Sequence, residues 1–221
     1  MHNIVNNLLS IQNELKIKIN KLNFENYNPN IVAVSKTFTI KDILPLINHG
    51  HLHFGENKVQ ESIEKWTSIK SDFKDIKLHM IGKLQTNKVK YVVPLFDYIH
   101  SVDSLKLAEK ISQQQVKNNK IMKLFIQINI GNENQKSGIL IDQLDNFYNK
   151  CTNDLGLNII GLMCLPPNDN KSQIYFSKMQ QLVRKLKLKD ISMGMSNDYL
   201  EAINYQSTYL RIGSKIFGER S

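Results

Sequence analysis

A chain of 221 residues, 41% hydrophobic and 22% charged, is long enough for a sizeable core and ordinary for a globular protein. No apolar run approaches the roughly 18 residues of a membrane span, and the opening Met1-His2-Asn3-Ile4-Val5 lacks the basic stretch of an export signal, so a cytoplasmic location without a membrane partner is expected. The formal charge of +9 raises nucleic acid as a partner, but the excess is scattered lysine with only Arg184, Arg211 and Arg220 beside it, whereas phosphate and base recognition favours Arg; specific nucleic-acid binding is not expected.

Ile4, Leu8, Ile11, Leu15 and Leu22 recur at helical spacing, which predicts an opening amphipathic helix to about Lys21, broken by Asn26-Tyr27-Asn28-Pro29-Asn30. From there strands and helices alternate. The first strand, Ile31 to Lys36, reads as buried on both faces. Its helix has Thr39 as N-cap and runs through Ile43, Leu46 and Ile47 to a stop at Gly50. Leu52 to Asn57 is the second strand, before a helix carrying Val59, Ile63 and Trp66. Lys77 to Gly82 is the third, followed by a helix over Asn87 to Leu95. The fourth, Tyr98 to Val102, is capped by Asp103 or Ser104 into a helix with Leu105, Leu107, Ala108 and Ile111. The fifth, Leu124 to Asn129, precedes a glycine-punctuated loop and a helix with Leu144, Phe147 and Tyr148. The sixth, Ile159 to Met163, stops at Pro166-Pro167, and its helix buries Tyr175, Phe176, Met179, Leu182, Val183 and Leu186. The seventh, Ile191 to Met195, leads to a helix around Tyr199 to Tyr205. The eighth, Tyr209 to Gly213, runs into a short segment from Ser214 to Arg220. Eight such units after one extra helix predict a single-domain (β/α)8 TIM barrel over residues 1–221, with a doubly wound open sheet as the alternative. Cys151 and Cys164 form no Cys-x-x-Cys pair and fit no zinc spacing; they read as buried structural thiols.

Barrel chemistry sits at the C-terminal ends of the strands. Alternation puts Val32, Val34 and Lys36 on one face, so the Lys36 amine projects into the barrel mouth, where a partly desolvated lysine can attack an aldehyde to form a Schiff base. A lysine that ends a strand and reaches out to water is the competing reading. Across the mouth, Ser192-Met193-Gly194-Met195-Ser196 follows the seventh strand and Arg211-Ile212-Gly213-Ser214 the eighth. Backbone N–H groups and hydroxyls there can converge on an oxyanion, and barrels commonly build phosphate sites after strands seven and eight. A reactive lysine opposite a phosphate cup describes pyridoxal 5'-phosphate.

Several blocks carry a resemblance: Ala33-Val34-Ser35-Lys36-Thr37, Phe54-Gly55-Glu56-Asn57-Lys58-Val59-Gln60-Glu61, His79-Met80-Ile81-Gly82-Lys83-Leu84-Gln85-Thr86-Asn87-Lys88, Ile99-His100-Ser101-Val102-Asp103, Gly161-Leu162-Met163, Ser192-Met193-Gly194-Met195-Ser196 and Arg211-Ile212-Gly213-Ser214-Lys215-Ile216-Phe217-Gly218. Together they closely resemble the YggS/PROSC family of pyridoxal phosphate homeostasis proteins. The resemblance implies the fold-type III barrel of the alanine racemase class without that class's β domain, and a carrier or regulator of the cofactor with no catalytic turnover. It implies Lys36 as the cofactor lysine, Ser196, Gly213 and Ser214 as phosphate contacts, Asn57 lining the pocket and Arg211 near the pyridine ring. With Met195, these are the candidate cofactor-binding residues. Apo pyridoxal-phosphate enzymes are the candidate recipients, and a monomer is expected.

The chemistry of the implied residues agrees with a carrier. An Arg facing the ring nitrogen, as the resemblance implies, would leave that nitrogen unprotonated and the ring a poorer electron sink, and after the leading helix and eight units no further domain of the kind that helps to supply a racemase with its second base is expected. The alternative is a racemase-like enzyme on the same scaffold. An RNA-binding module would need clustered Arg or exposed stacking aromatics. One departure from the family stands at Phe38, where some members carry a second lysine; Lys136 matches another lysine near the pocket and is the candidate to take its place, with a solvated loop lysine as the plainer alternative. His51 and His53 share a strand face without a third ligand and read as packing or hydrogen-bonding residues, as do the single histidines His79 and His100. Glu56 and Glu61 form no evident acid/base pair.

Overall fold

The computed structural model describes residues 3–218; Met1, His2 and Arg220, named above, lie outside the described residues. A leading helix, α1 (Asn3–Lys21), precedes β1 (Asn30–Val34), α2 (Ile40–Asn48), β2 (His53–Glu56), α3 (Val59–Asp72), β3 (Lys77–Met80), α4 (Val89–Leu95), β4 (Tyr98–Val102) and α5 (Leu105–Asn118). The second half runs β5 (Lys123–Ile128), α6 (Leu144–Asn149), β6 (Ile159–Cys164), α7 (Ser172–Lys185), β7 (Asp190–Ser192), α8 (Tyr199–Asn204), β8 (Tyr209–Ile212) and α9 (Ser214–Phe217). The strands pair in parallel in sequence order and close as a barrel, β1 joining β8 through Val32 opposite Arg211. Closure excludes the doubly wound sheet.

The pleat divides the apolar residues between two layers. Ile31 and Ala33 point outward into the large core under the helices, with Phe54, Trp66, Ile99, Leu124 and Leu210. Val32, Tyr98, Phe125, Met163 and Tyr209 pack inside the barrel. Leu8, Ile11 and Leu15 bury one stripe of α1, which packs against α2, α8 and α9. At the head of α2 the Thr39 N–H and hydroxyl both donate to Asp42 Oδ2, at 2.9 and 2.7 Å, completing the expected cap. Cys151 and Cys164 are buried free thiols, and burial pushes each up to about 12.

Some boundaries move for local reasons. β1 stops at Val34, short of Lys36, because the Ser35 carbonyl turns to the Lys65 ammonium (2.9 Å) and the Phe38 N–H (3.2 Å). β7 ends at Ser192 because Ser207 Oγ donates to the Met193 carbonyl (2.7 Å) and Gly194 adopts φ +90, a backbone conformation that glycine reaches without strain. The helix expected from Asn87 starts as a 3-10 turn over Thr86–Lys88. Tyr175 and Leu186, expected in the core, are half-buried on the flank of α7, and the Tyr175 hydroxyl donates to Asp169 (2.8 Å).

Candidate functional site

The turn that presents Lys36 is strapped on both sides. Before it, the Ser35 N–H donates to the Gly55 carbonyl (3.0 Å) and Ser35 Oγ to Glu56 Oε1 (2.7 Å). After it, Thr37 takes the left-handed region at φ 69 and its N–H donates to Glu61 Oε1 (2.6 Å). Lys65, from α3, ties the two anchors together: its ammonium reaches the Ser35 carbonyl at 2.9 Å and Glu56 and Glu61 at 3.0 Å each. Trp66 Nε1 donates to the same Glu56 oxygen (2.9 Å). Glu61 therefore fixes the Thr37 backbone, and Glu56 gathers the Ser35, Lys65 and Trp66 side chains behind the turn.

Half-buried Lys36 lines a cavity of about 480 Å³ at the C-terminal ends of the strands. All seven residues singled out from the sequence share that lining: Lys36, Asn57, Met195, Ser196, Arg211, Gly213 and Ser214. Asn57 follows β2, and Gly82 beside it has no room for a side chain, since a Cβ there would stand 2.4 Å from the Asn57 carbonyl oxygen. Opposite Lys36 the loops after β7 and β8 meet. The backbone N–H groups of Gly213 and Lys215 both converge on Ser196 Oγ at 3.3 Å. The Met195 N–H donates to Asp198 Oδ1 (2.6 Å), which sets the first turn of that loop.

Arg211 rises from the barrel interior and is only 4% exposed. Nη1 donates to Ser192 Oγ (2.6 Å) and Nη2 to the Cys164 carbonyl (2.8 Å), so two of the five donors of its fork are held from below. Burial lowers its pKa from the usual value, yet a guanidinium stays charged. Ser192 Oγ also lies 2.8 Å from His100 Nδ1. His100 Nε2 is 2.9 Å from His79 Nδ1, and His79 Nε2 is 2.9 Å from His53 Nδ1. Burial pulls His53 down to about 4, with the Lys77 and Lys123 charges adding to it, and holds His79 and His100 well below the usual imidazole value.

The sequence placed His53, His79 and His100 as separate, satisfied side chains; their connection was missed. The signal was there in the strand pattern: the three project inward from β2, β3 and β4, consecutive strands of a predicted barrel. Pro166 and Pro167, read only as a strand stop, also line the cavity with their neighbours Leu165 and Asn168, as residues just after a barrel strand should. His51 packs edge-on to Phe54 and hydrogen-bonds the His53 carbonyl (2.9 Å). Phe38 stacks on Phe217, ring centroids 4.7 Å apart, as an apolar wall of the cavity. The Lys136 ammonium pairs with Glu133 (2.6 Å) and donates to the Pro166 carbonyl (3.1 Å) at the cavity's edge.

Residues 12–221 match the family model described as alanine racemase, N-terminal domain. The chain is similar to the pyridoxal phosphate homeostasis protein of Haemophilus influenzae, 36% identical over 99% of this chain and 97% of that one. Among solved structures it is similar to PipY of Synechococcus elongatus PCC7942 with PLP bound, with TM-score 0.79 and 30% identity over 92% of this chain and 100% of that one. Alanine racemase from Corynebacterium glutamicum shares the fold at TM-score 0.65 and 15% identity, over 96% of this chain and 61% of that one.

Proposed function

This chain belongs to the family of pyridoxal phosphate homeostasis proteins, within the alanine racemase N-terminal-domain family, and from that premise we propose that it binds pyridoxal 5'-phosphate as a Schiff base on Lys36 and works as a carrier or regulator of the cofactor rather than as a catalyst. The observation that carries the reading is the shared cavity, lined by the Lys36 amine, the Arg211 guanidinium and the Ser196 and Ser214 hydroxyls, with the Gly213 and Lys215 N–H groups converging on Ser196 Oγ. The donor set fits the coenzyme. When bound, the coenzyme would supply an aldehyde electrophile within reach of the Lys36 amine. Ser196, Gly213 and Ser214 would hold the phosphate, with Ser196 Oγ oriented by the N–H groups it accepts from Gly213 and Lys215. Arg211 would face the pyridine nitrogen as a hydrogen-bond donor that keeps its own proton, and Asn57 and Met195 would bound the ring.

The same lining supports carriage over turnover. Among the described residues its ionisable side chains are Lys36, Asp198 and Arg211, and Asp198 already accepts the Met195 N–H. A two-base racemase needs a second proton carrier across the substrate from the lysine. The reading takes residues 1–221 as one binding domain acting as a monomer in the cytoplasm, with apo pyridoxal-phosphate enzymes as recipients. Elution at the mass of one chain is the check on the monomer.

The test is direct. Purified protein incubated with pyridoxal 5'-phosphate should develop visible absorbance, and borohydride reduction followed by peptide mapping should place the modification on Lys36. Lys36→Ala should lose both. Racemase, decarboxylase or transaminase turnover by clean protein, abolished in Lys36→Ala, would overturn the carrier reading in favour of an enzyme.

A further inference from the structure

The interior of the barrel holds a polar file that the binding site alone does not require. From Arg211 it passes through Ser192, His100 and His79 to His53, linking β8, β7, β4, β3 and β2. The rings are clamped. Tyr98 stacks on His79 at 4.1 Å and Phe125 on His100 at 4.3 Å, while Tyr209 packs edge-on to His100. His53, at the far end, lines a second cavity of about 510 Å³ at the N-terminal ends of β1 and β2, beneath α1.

Hydrogen-bond counting fixes the sense of this file. Arg211 can only donate, so Ser192 Oγ accepts from it. The partner left for the Ser192 hydroxyl proton is His100 Nδ1, which must then be an unprotonated acceptor. His100 carries its proton on Nε2 and donates it to His79 Nδ1, and His79 in turn donates from Nε2 to His53 Nδ1. The opposite sense would make Ser192 accept twice and leave its own buried proton without an acceptor, which is costly. Electrostatics chooses the same direction. Arg211 is a buried cation with no carboxylate at ion-pair distance among the described residues, and a file of aligned dipoles with its acceptor ends toward the guanidinium supplies the compensation that a buried charge needs.

We infer that Ser192, His100, His79 and His53 form a positioning relay for Arg211, in which all three imidazoles are neutral with the proton on Nε2 and the state of the guanidinium is reported at the barrel floor. The groups facing the relay are Arg211 at the His100 end and, around His53, His51, Lys77, Lys123 and Asp97; the cations among them oppose a further positive charge on the rings. The tautomer assignment stands on the protein alone. The link to the cofactor rests on the function proposed above.

Long-range proton–nitrogen spectra of the 15N-histidine-labelled full chain separate protonated from bare ring nitrogens. Without cofactor, His53, His79 and His100 should each show a protonated Nε2 and a bare Nδ1; a protonated Nδ1, a mixture, or an imidazolium at any of the three at neutral pH overturns the relay. Addition of pyridoxal 5'-phosphate should shift the His53 ring signals as well as those of His100; silence at His53 with the cofactor bound overturns the coupling. Ser192→Ala should break the single sense and weaken cofactor binding on the order of 10-fold, and Ser192→Thr, which keeps the hydroxyl, should restore both. Unchanged tautomers and affinity in Ser192→Ala would sink the proposal. An intact relay in a protein that captures no cofactor on Lys36 would instead remove the function proposed above and leave the relay standing.

Discussion

Lys65 shows how much a side chain outside the chemistry can decide. Its side chain is 7% exposed, and its ammonium is shared by the Ser35 carbonyl and by Glu56 and Glu61. Glu56 is fully buried, and its Oε2 has no hydrogen-bond partner, so every compensation for its charge comes through Oε1. Removing one member of a buried pair leaves the other uncompensated, at a cost of about 3–5 kcal/mol. Lys65→Met should lose stability on that scale in urea unfolding, and the double change Lys65→Met with Glu56→Gln should recover part of it. A loss below about 1 kcal/mol would place the pair among surface bridges. The sequence carried only the outline of this arrangement: Glu56 and Glu61 were visible as acids without a catalytic spacing, but nothing in the spacing announced that Lys65 would reach back across 30 residues to the carbonyl that ends β1.

At the scale of elements, α1 braces the two loops that face Lys36. The Glu14 carboxylate accepts from the Tyr199 hydroxyl and the Lys215 ammonium, and Asn7 Nδ2 donates to the Ile216 carbonyl (2.9 Å). Those partners sit on α8 and α9, immediately after the Ser196 and Gly213-Ser214 loops. The Tyr199 hydrogen bond, with Lys215 beside it, holds the Glu14 carboxyl below the usual carboxylate range. Ile11 is fully buried in the same helix; Ile11→Ala should cost about 2–5 kcal/mol by the cavity it opens. Glu14→Gln, at an exposed bridge, should change stability little while weakening pyridoxal 5'-phosphate binding, because the loops lose their brace; unchanged affinity in a titration would show that α1 only packs. Element order was legible because apolar periodicity switches between two and about 3.6 residues eight times. Strand ends were less so. Ser35 and Met193 are claimed by side chains from other elements, Lys65 and Ser207, and long-range capture of a carbonyl leaves no local trace. The same limit hid the relay: His100 and Ser192 are 92 residues apart and meet only across the closed barrel. The seven cavity residues were accessible because each lies at or just beyond a strand's C-terminal end.

For the whole molecule, neutral buried histidines set the acid side of stability. The His53 pKa falls from 6.5 to about 4 in the folded protein, and His79 and His100 lie well below 6.5. Between those values and 6.5 the unfolded chain binds more protons than the folded one, so their contribution is fully present above about pH 6.5 and is lost as pH falls toward the folded values. The urea midpoint should drop from pH 7 to pH 5. His53→Gln, which removes one of these groups at its most solvent-accessible member, should flatten that drop; an identical slope would mean that His53 is not neutral in the fold.

Closure of the barrel through β1 and β8 also sets a clock on synthesis. Val32 must wait for Arg211 to be translated, roughly 180 residues later, and at the usual rate of about 5–20 residues per second that is on the order of ten seconds or more. Throughout that interval the outer edge of the first strand has no neighbour, and the lysine just beyond it faces no opposing wall. A nascent chain stalled before the eighth strand therefore carries an adhesive β edge and an unfinished cavity, which makes this edge the place where a ribosome-associated chaperone would have most to protect.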